Sequence, residues 1–187
     1  MVYVDINLMA AVSSPEIASR STVVPYATTL RVRDCCLCLH VQRAARALAR
    51  RFDEALRPVG LTNGQFSLLM SLNRPEPPPM APVAALLAMD RTTLTAALKP
   101  LERRGLVEVI RDPADRRGRR LKLTDEGNAL LARAMPIWEE THRSIEGALS
   151  DGAPKRLRRD LNALAESPDY LTRLRQSISA SSALVST

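Results

Sequence analysis

The sequence predicts a mainly α-helical protein that carries one small β-hairpin. Three observations lead there. Apolar residues recur at steps of three and four along most of the chain, the signature of a helix with one buried stripe. The period changes to two only once, around residues 106–123. Aromatic residues make up just 3% of a 187-residue chain, so the core must rest on Leu, Ala, Val and Met, which suit packed helices.

Residues 1–30 show no lasting periodicity, and Ser19 to Pro25 reads as weakly ordered chain. From Cys38 a stripe runs through Val41, Ala45, Leu48, Phe52, Ala55 and Leu56, and Pro58 with Gly60 ends that helix. A second helix opens at Thr62, which has Gln65 three residues on in the capping-box spacing. The cluster Pro75, Pro77, Pro78 and Pro79 stops it. Pro82 is suited to open a short third helix, Val83 to Ala88. Asp90 caps a fourth, with Leu94, Leu98 and Leu101 inward and Gly105 as its left-handed stop. Residues 106–111 read as a strand, 112–115 as turn chemistry and 119–123 as the returning strand. Asp125 and Glu126 place negative charge at the start of a long helix to about Leu149, where the helix dipole favours it. Residues 151–154 break the chain before a last helix carrying Leu157, Leu161 and Leu164, and the Ser-rich end, 177–187, is expected to fray.

The net charge of +7 points to a polyanionic partner, nucleic acid or an anionic membrane surface. No run reaches the ~20 apolar residues of a membrane span, and the start lacks the pattern of a secretory signal. Cys35, Cys36 and Cys38 are odd in number and too close together to staple distant segments, so they read as cytosolic thiols. There is no phosphate-cradling glycine loop, zinc-protease helix or nucleophile elbow, and neither His40 nor His142 has a catalytic setting. The expectation is a protein that is not an enzyme and uses no cofactor.

The chemistry concentrates between Val83 and Leu123. Two short helices across a tight connection, the second of them polar, resemble a helix-turn-helix. Arg91 can bond guanine, while Thr92, Thr93 and Thr95 can meet phosphates, base edges or thymine methyls, and Lys99 adds a cation. The same face also reads as ordinary solvated helix. The hairpin adds a second signal: Arg111, Arg116, Arg117, Arg119, Arg120 and Lys122 stand against Asp112 and Asp115. Six cations on one ribbon repel each other, and a phosphate backbone or narrow minor groove relieves that repulsion. Asp115 can hold an arginine and orient the tip.

These stretches together resemble the MarR-type winged helix regulators. The matching residues are Gly60-Leu61-Thr62 with Gln65-Phe66, Met89 to Thr95, Leu101 to Val107, Asp112 to Arg117, and Leu123 to Gly127. Order and spacing agree from about residue 34 to 166. The resemblance implies a winged helix-turn-helix in a triangular homodimer. It implies an N-terminal extension at 1–33, a dimerisation helix at 34–60, a DNA-binding lobe at 61–123, dimerisation helices at 124–176 and a tail at 177–187. The helix after Asp90 would enter the major groove, and Arg117, positioned by Asp115, would reach the minor groove. One departure is Ala88, where the family often has glycine; with a Cβ there, the turn is expected to avoid positive φ.

The expected function is therefore sequence-specific, cytoplasmic regulation of transcription. The protein would act as a repressor on a pseudo-palindromic duplex operator, released by a small molecule such as an aromatic acid. Arg43, Arg46, Phe66, Met70, Trp138 and His142 are the candidate effector residues, an apolar wall with an arginine. An alternative is a thiol switch. Cys38 stands eight residues before Arg46, as the reactive cysteine does in organic-hydroperoxide sensors of this family, although the tyrosines that support it there fall at Phe52 and Asn63. A metal site from Cys35, Cys36, Cys38 and His40 would need ligands pointing several ways around one helix. A winged helix that binds proteins rather than DNA is the remaining alternative, and nothing in that role requires so basic a hairpin.

Overall fold

The computed structural model describes residues 23–115 and 118–166. Residues 1–22 of the expected loose start, the fraying tail and both Arg116 and Arg117 lie outside these residues. The elements run α1 (Tyr26–Cys35), α2 (Leu37–Leu56), a 3-10 turn (Arg57–Val59), α3 (Asn63–Leu72), α4 (Met80–Leu86), α5 (Arg91–Arg103), β1 (Val107–Arg111), β2 (Arg119–Leu123), α6 (Asp125–Gly147) and α7 (Ala153–Glu166). The chain divides into two compact units between Ala44 and Ala45.

In the first unit, α1 is a helix in a stretch where the sequence shows no period. It buries none of its residues, which is why it carries no amphipathic stripe to read. The Cys36 amide donates to Val32 O at 3.0 Å, but Cys36 is itself extended and breaks the helix from α2. Arg33 and Asp34 pair at 2.6 Å on the exposed surface.

The second unit holds the core. Leu56, Leu68, Leu69, Leu72, Val83, Leu94, Leu98, Leu101 and Leu121 are its largest fully buried side chains, drawn from α2 to α5 and the hairpin. Fully burying one such side chain contributes about 1.5–3 kcal/mol. The capping box forms as the spacing predicts: Gln65 N donates to Thr62 Oγ1 at 3.2 Å and Thr62 N to Gln65 Oε1 at 3.1 Å. The strands pair antiparallel, Val107 opposite Leu123 and Arg111 opposite Arg119.

Five further features differ from the sequence expectation. Helix α4 begins at Met80, not Val83, because proline is tolerated anywhere in a first turn, where amides have no helical partner. Helix α6 stops at Gly147 rather than near Leu149. The last helix already includes Ala153 and Pro154, which the sequence pattern places in the break. The proline segment is more than a stop signal: Leu121 N donates to Pro78 O at 2.9 Å, and Pro79 bridges Arg120, so it lies along the free edge of β2. Proline serves well on such an edge.

The fifth correction is at Ala88, whose φ is +51°, not negative. The end of α4 closes with Ala88 N donating to Ala85 O at 3.1 Å and Met89 N to Ala84 O at 2.9 Å. Those two bonds define a helix stop whose residue must be left-handed, and closing the α4–α5 turn this way outweighs the strain of one Cβ.

Candidate nucleic-acid interface

Helix α5 is anchored at its start by Asp90. The Asp90 carboxylate accepts from Thr93 N at 2.7 Å and Thr93 Oγ1 at 2.8 Å, and these bonds hold it below the usual carboxylate range. Leu94, Leu98 and Leu101 are buried, which fixes the rotation of the helix and leaves Arg91, Thr92, Thr93, Thr95 and Lys99 exposed. Thr95 Oγ1 donates to Arg91 O at 2.7 Å. The hydroxyl protons of Thr93 and Thr95 are thus engaged within the helix. Toward an external partner these threonines offer lone pairs and methyl groups. Pro100 lies inside α5 and has no N–H for the Ala96 carbonyl.

The hairpin is organised by Asp112. Its carboxylate accepts from Ala114 N at 2.9 Å, an Asx turn, and faces Arg120 Nε at 3.0 Å; the Ala114 amide first and Arg120 second hold it below the usual range. The Arg120 approach is an ion pair rather than an aligned hydrogen bond, and Arg120 Nη1 also donates to Pro77 O at 3.1 Å. Arg120 therefore fastens the hairpin to the proline edge. Glu108 and Lys122 pair across the strands at 3.3 Å. Asp115 and Arg119 are exposed near the tip, and Gly118 N donates to Asp115 O at 2.8 Å. Arg120 and Lys122 thus have carboxylate partners on the hairpin itself.

Thr124 joins the hairpin to α6. Its Oγ1 accepts from Gly127 N at 3.0 Å and donates to Gly105 O at 2.7 Å, and its amide donates to Leu106 O at 3.2 Å. Helix α5, the hairpin and the start of α6 therefore meet within a few residues.

Behind α3, a cavity of about 380 Å³ is lined by Phe66, Ser67, Met70, Ser71, Leu86, Leu87, Met135 and Trp138. It gathers Phe66, Met70 and Trp138 of the sequence-predicted effector set. Phe66 and Trp138 stack with centroids 6.2 Å apart, and Trp138 stacks on His142 at 4.6 Å. His142 does not line the cavity; its Nε2 lies 3.2 Å from Glu146 Oε1. Arg158 of α7 also bonds Glu146, and this bond, first among its causes, holds the Glu146 carboxyl below its usual range. Arg46 is exposed and is not among the lining residues, which carry no charge; Arg43 is exposed in the first unit. Leu86 and Leu87 escaped sequence reasoning because α4 reaches this wall only through tertiary packing, and Ser67 and Ser71 of α3 and Met135 of α6 were missed because no local pattern marks them as facing a cavity.

Cys38 is exposed and Gln42 Nε2 donates to its Sγ at 3.1 Å, while Cys35 and Cys36 are also free thiols. Among the described residues no three His, Cys, Asp or Glu side chains are placed to hold a metal ion, and no helix is long and apolar enough to cross a membrane.

The MarR family model matches residues 61–118, from the turn before α3 into the hairpin. The transcriptional repressor MprA of Escherichia coli is 30% identical over 135 residues, covering 71% of this chain and 73% of the relative. The chain belongs to the MarR family. Two solved MarR-type structures are similar along the same region. One is the Mycobacterium tuberculosis regulator MosR in complex with DNA, 38% identical, with a TM-score of 0.66 over 73% of this chain and 98% of that one. The other is CouR of Rhodococcus jostii bound to p-coumaroyl-CoA, 25% identical, with a TM-score of 0.63 over 71% and 94%. This MarR-family chain is accordingly a DNA-binding transcription regulator, with a winged helix-turn-helix formed by α4, α5 and the β1–β2 hairpin.

Proposed function

We propose that the protein is a cytoplasmic homodimeric repressor that performs no catalysis and releases its operator when a small aromatic acid enters the Phe66–Trp138 cavity. The observation that carries the DNA-binding half is the exposed row Arg91, Thr92, Thr93, Thr95 and Lys99 on a helix whose opposite face is locked in the core. Helix α5 then lies in the major groove, with Arg91 at its leading end. Arg116, Arg117 and Arg119 of the wing reach the adjacent minor groove or its phosphates, with Asp115 positioning Arg117. Dimerisation is supported by Leu157, Leu161 and Leu164, which are 49%, 38% and 52% exposed along one side of α7 and need a partner surface. A two-fold dimer presents two copies of α5 and therefore reads a pseudo-palindrome.

The ligand that CouR binds carries an aromatic acyl group, and the cavity here is walled by two aromatic rings. An uncharged cavity suits the aromatic body, with its carboxylate held at the mouth; Arg46, in the same compact unit, is the cation we propose for it. Trp138 is the chain's single tryptophan, so binding reports itself. Titrating the protein with p-coumarate should quench Trp138 fluorescence and raise the apparent Kd for operator DNA in parallel. Quenching without loss of DNA binding would reject the effector role. Neither effect across a panel of aromatic acids and their coenzyme A thioesters would reject the ligand class.

A second reading uses Cys38. Its exposure beside Cys35 and Cys36 suits attack by a peroxide. The Cys38 thiolate would be oxidised to a sulfenic acid as the peroxide is reduced. A neighbouring thiol would then form a disulfide with release of water. Peroxide should weaken DNA binding in the parent and not in Cys38→Ser; a parent insensitive to peroxide rejects this reading.

A further inference from the structure

A second cavity, of about 590 Å³, lies between α4, the start of α5 and the wing, away from the Phe66–Trp138 cavity. Its walls divide by chemistry. Met80, Ala81, Ala84, Ala85, Met89 and Leu94 form an apolar side. Arg91 and Arg119 lie on its α5 and wing sides, with Asp115. Among the described lining residues, two arginines stand against one aspartate, so the polar side favours an anion. The apolar side, which Pro79 completes, carries no aromatic ring: it is methyl groups, one leucine, one proline and two flexible thioethers, which adapt to a narrow chain better than to a flat aromatic.

We propose that this cavity binds a medium-chain aliphatic carboxylate, its head group on Arg91 and Arg119 and its chain along the methionine and alanine wall. Arg91 and Arg119 are also residues assigned above to DNA contacts. The carboxylate and the operator phosphates then compete for the same guanidinium groups, and inhibition is directly competitive. This differs from the effect of an aromatic acid at Trp138, whose cavity shares no lining residue with this one. At about 30 Å³ per water-sized group the volume of about 590 Å³ holds roughly twenty such groups, more than an eight- to twelve-carbon carboxylate needs.

The probe is octanoate, with 1-octanol as its neutral counterpart. Added to the full-length protein without DNA, octanoate should shift the backbone amide resonances of Arg91, Gly118 and Arg119, leave Trp138 fluorescence unchanged, and bind in the range of about 1 mM or tighter. In operator titrations the apparent Kd should rise in proportion to octanoate with no plateau, and 1-octanol should do neither. Ala85→Trp fills the cavity from an exposed helix position and should abolish the octanoate effect while operator binding persists. Ser67→Leu narrows the other cavity and should leave octanoate competition intact while removing the p-coumarate response. Amide shifts confined to Ser67 and Met70, a quenched Trp138, a plateau in the apparent Kd, or equal binding of 1-octanol would each overturn the proposal. If Ala85→Trp also loses operator binding, the amide shifts in the parent alone decide.

Discussion

Replacing Ala88 by glycine should make the protein more stable, although it removes atoms and adds backbone freedom. Ala88 has φ of +51° at the stop of α4, and its exposed methyl packs against little. Left-handed backbone costs an L-residue about 1–2 kcal/mol, from the contact between Cβ and the following carbonyl. Glycine removes that cost but gives the unfolded chain more entropy, worth about 0.4–1 kcal/mol in the opposite direction. The difference leaves a net gain of about 0.5–1 kcal/mol. For a chain of this size that corresponds to a rise in Tm of about 1–4 °C. Ala88→Val is the reverse control: a β-branched residue is poorest in this region, and Tm should fall. Both variants should be melted by circular dichroism at one protomer concentration, because dimerisation makes Tm depend on concentration. Operator affinity should stay at the parental value, since the turn keeps its geometry. A Tm for Ala88→Gly equal to or below the parent's would refute the left-handed turn and the orientation of α5 that depends on it.

Gly127→Ala should be strongly destabilising, because a Cβ there would lie 2.3 Å from Leu106 O and 2.7 Å from Leu123 Cδ1. Overpacking of this kind costs about 1–3 kcal/mol, which a urea titration would show as a lower midpoint with unchanged slope. Arg119→Ala should weaken operator binding and reduce the slope of log K against log salt by about 1, with Tm unchanged. Leu161→Asp should shift the protein from dimer to monomer in sedimentation velocity. Acid should destabilise the fold in a defined direction. Asp90, Asp112 and Glu146 have lowered pKa values when folded, so their stabilising effect is complete above the ordinary carboxylate pKa and is lost as pH falls through the lowered values. Thermal melts from pH 7 to pH 3 should show Tm falling only below that ordinary range, and Asp112→Asn should flatten part of the fall.

What was legible in the sequence was what neighbours in the chain decide. The Thr62–Gln65 box, the Asp90 cap, the stop at Gly105 and the hairpin are all set within a few residues, and each is found where the spacing places it. What was not legible depends on partners far along the chain. The bridge from Pro79 to Arg120 joins segments about 40 residues apart, and no local pattern announces it. The positive φ of Ala88 is imposed by the turn between two packed helices, which overrides the residue's own preference. Helix α1 was invisible because it buries nothing, and burial is what writes a period into a sequence. At the site, the exposed face of α5 followed from its leucine spacing. The cavity wall at Ser67, Leu86 and Leu87 did not, because α3, α4 and α6 form it only once packed.

The central claim is that α5 and the wing read a duplex sequence. Fluorescence anisotropy of the purified protein with the DNA flanking its own gene, against a scrambled duplex, over a series of salt concentrations, tests it most directly. The account predicts a dimer that prefers the flanking DNA by at least about 10³-fold and weakens steeply as salt rises. Equal, weak binding to both duplexes by ligand-free, reduced protein would contradict it.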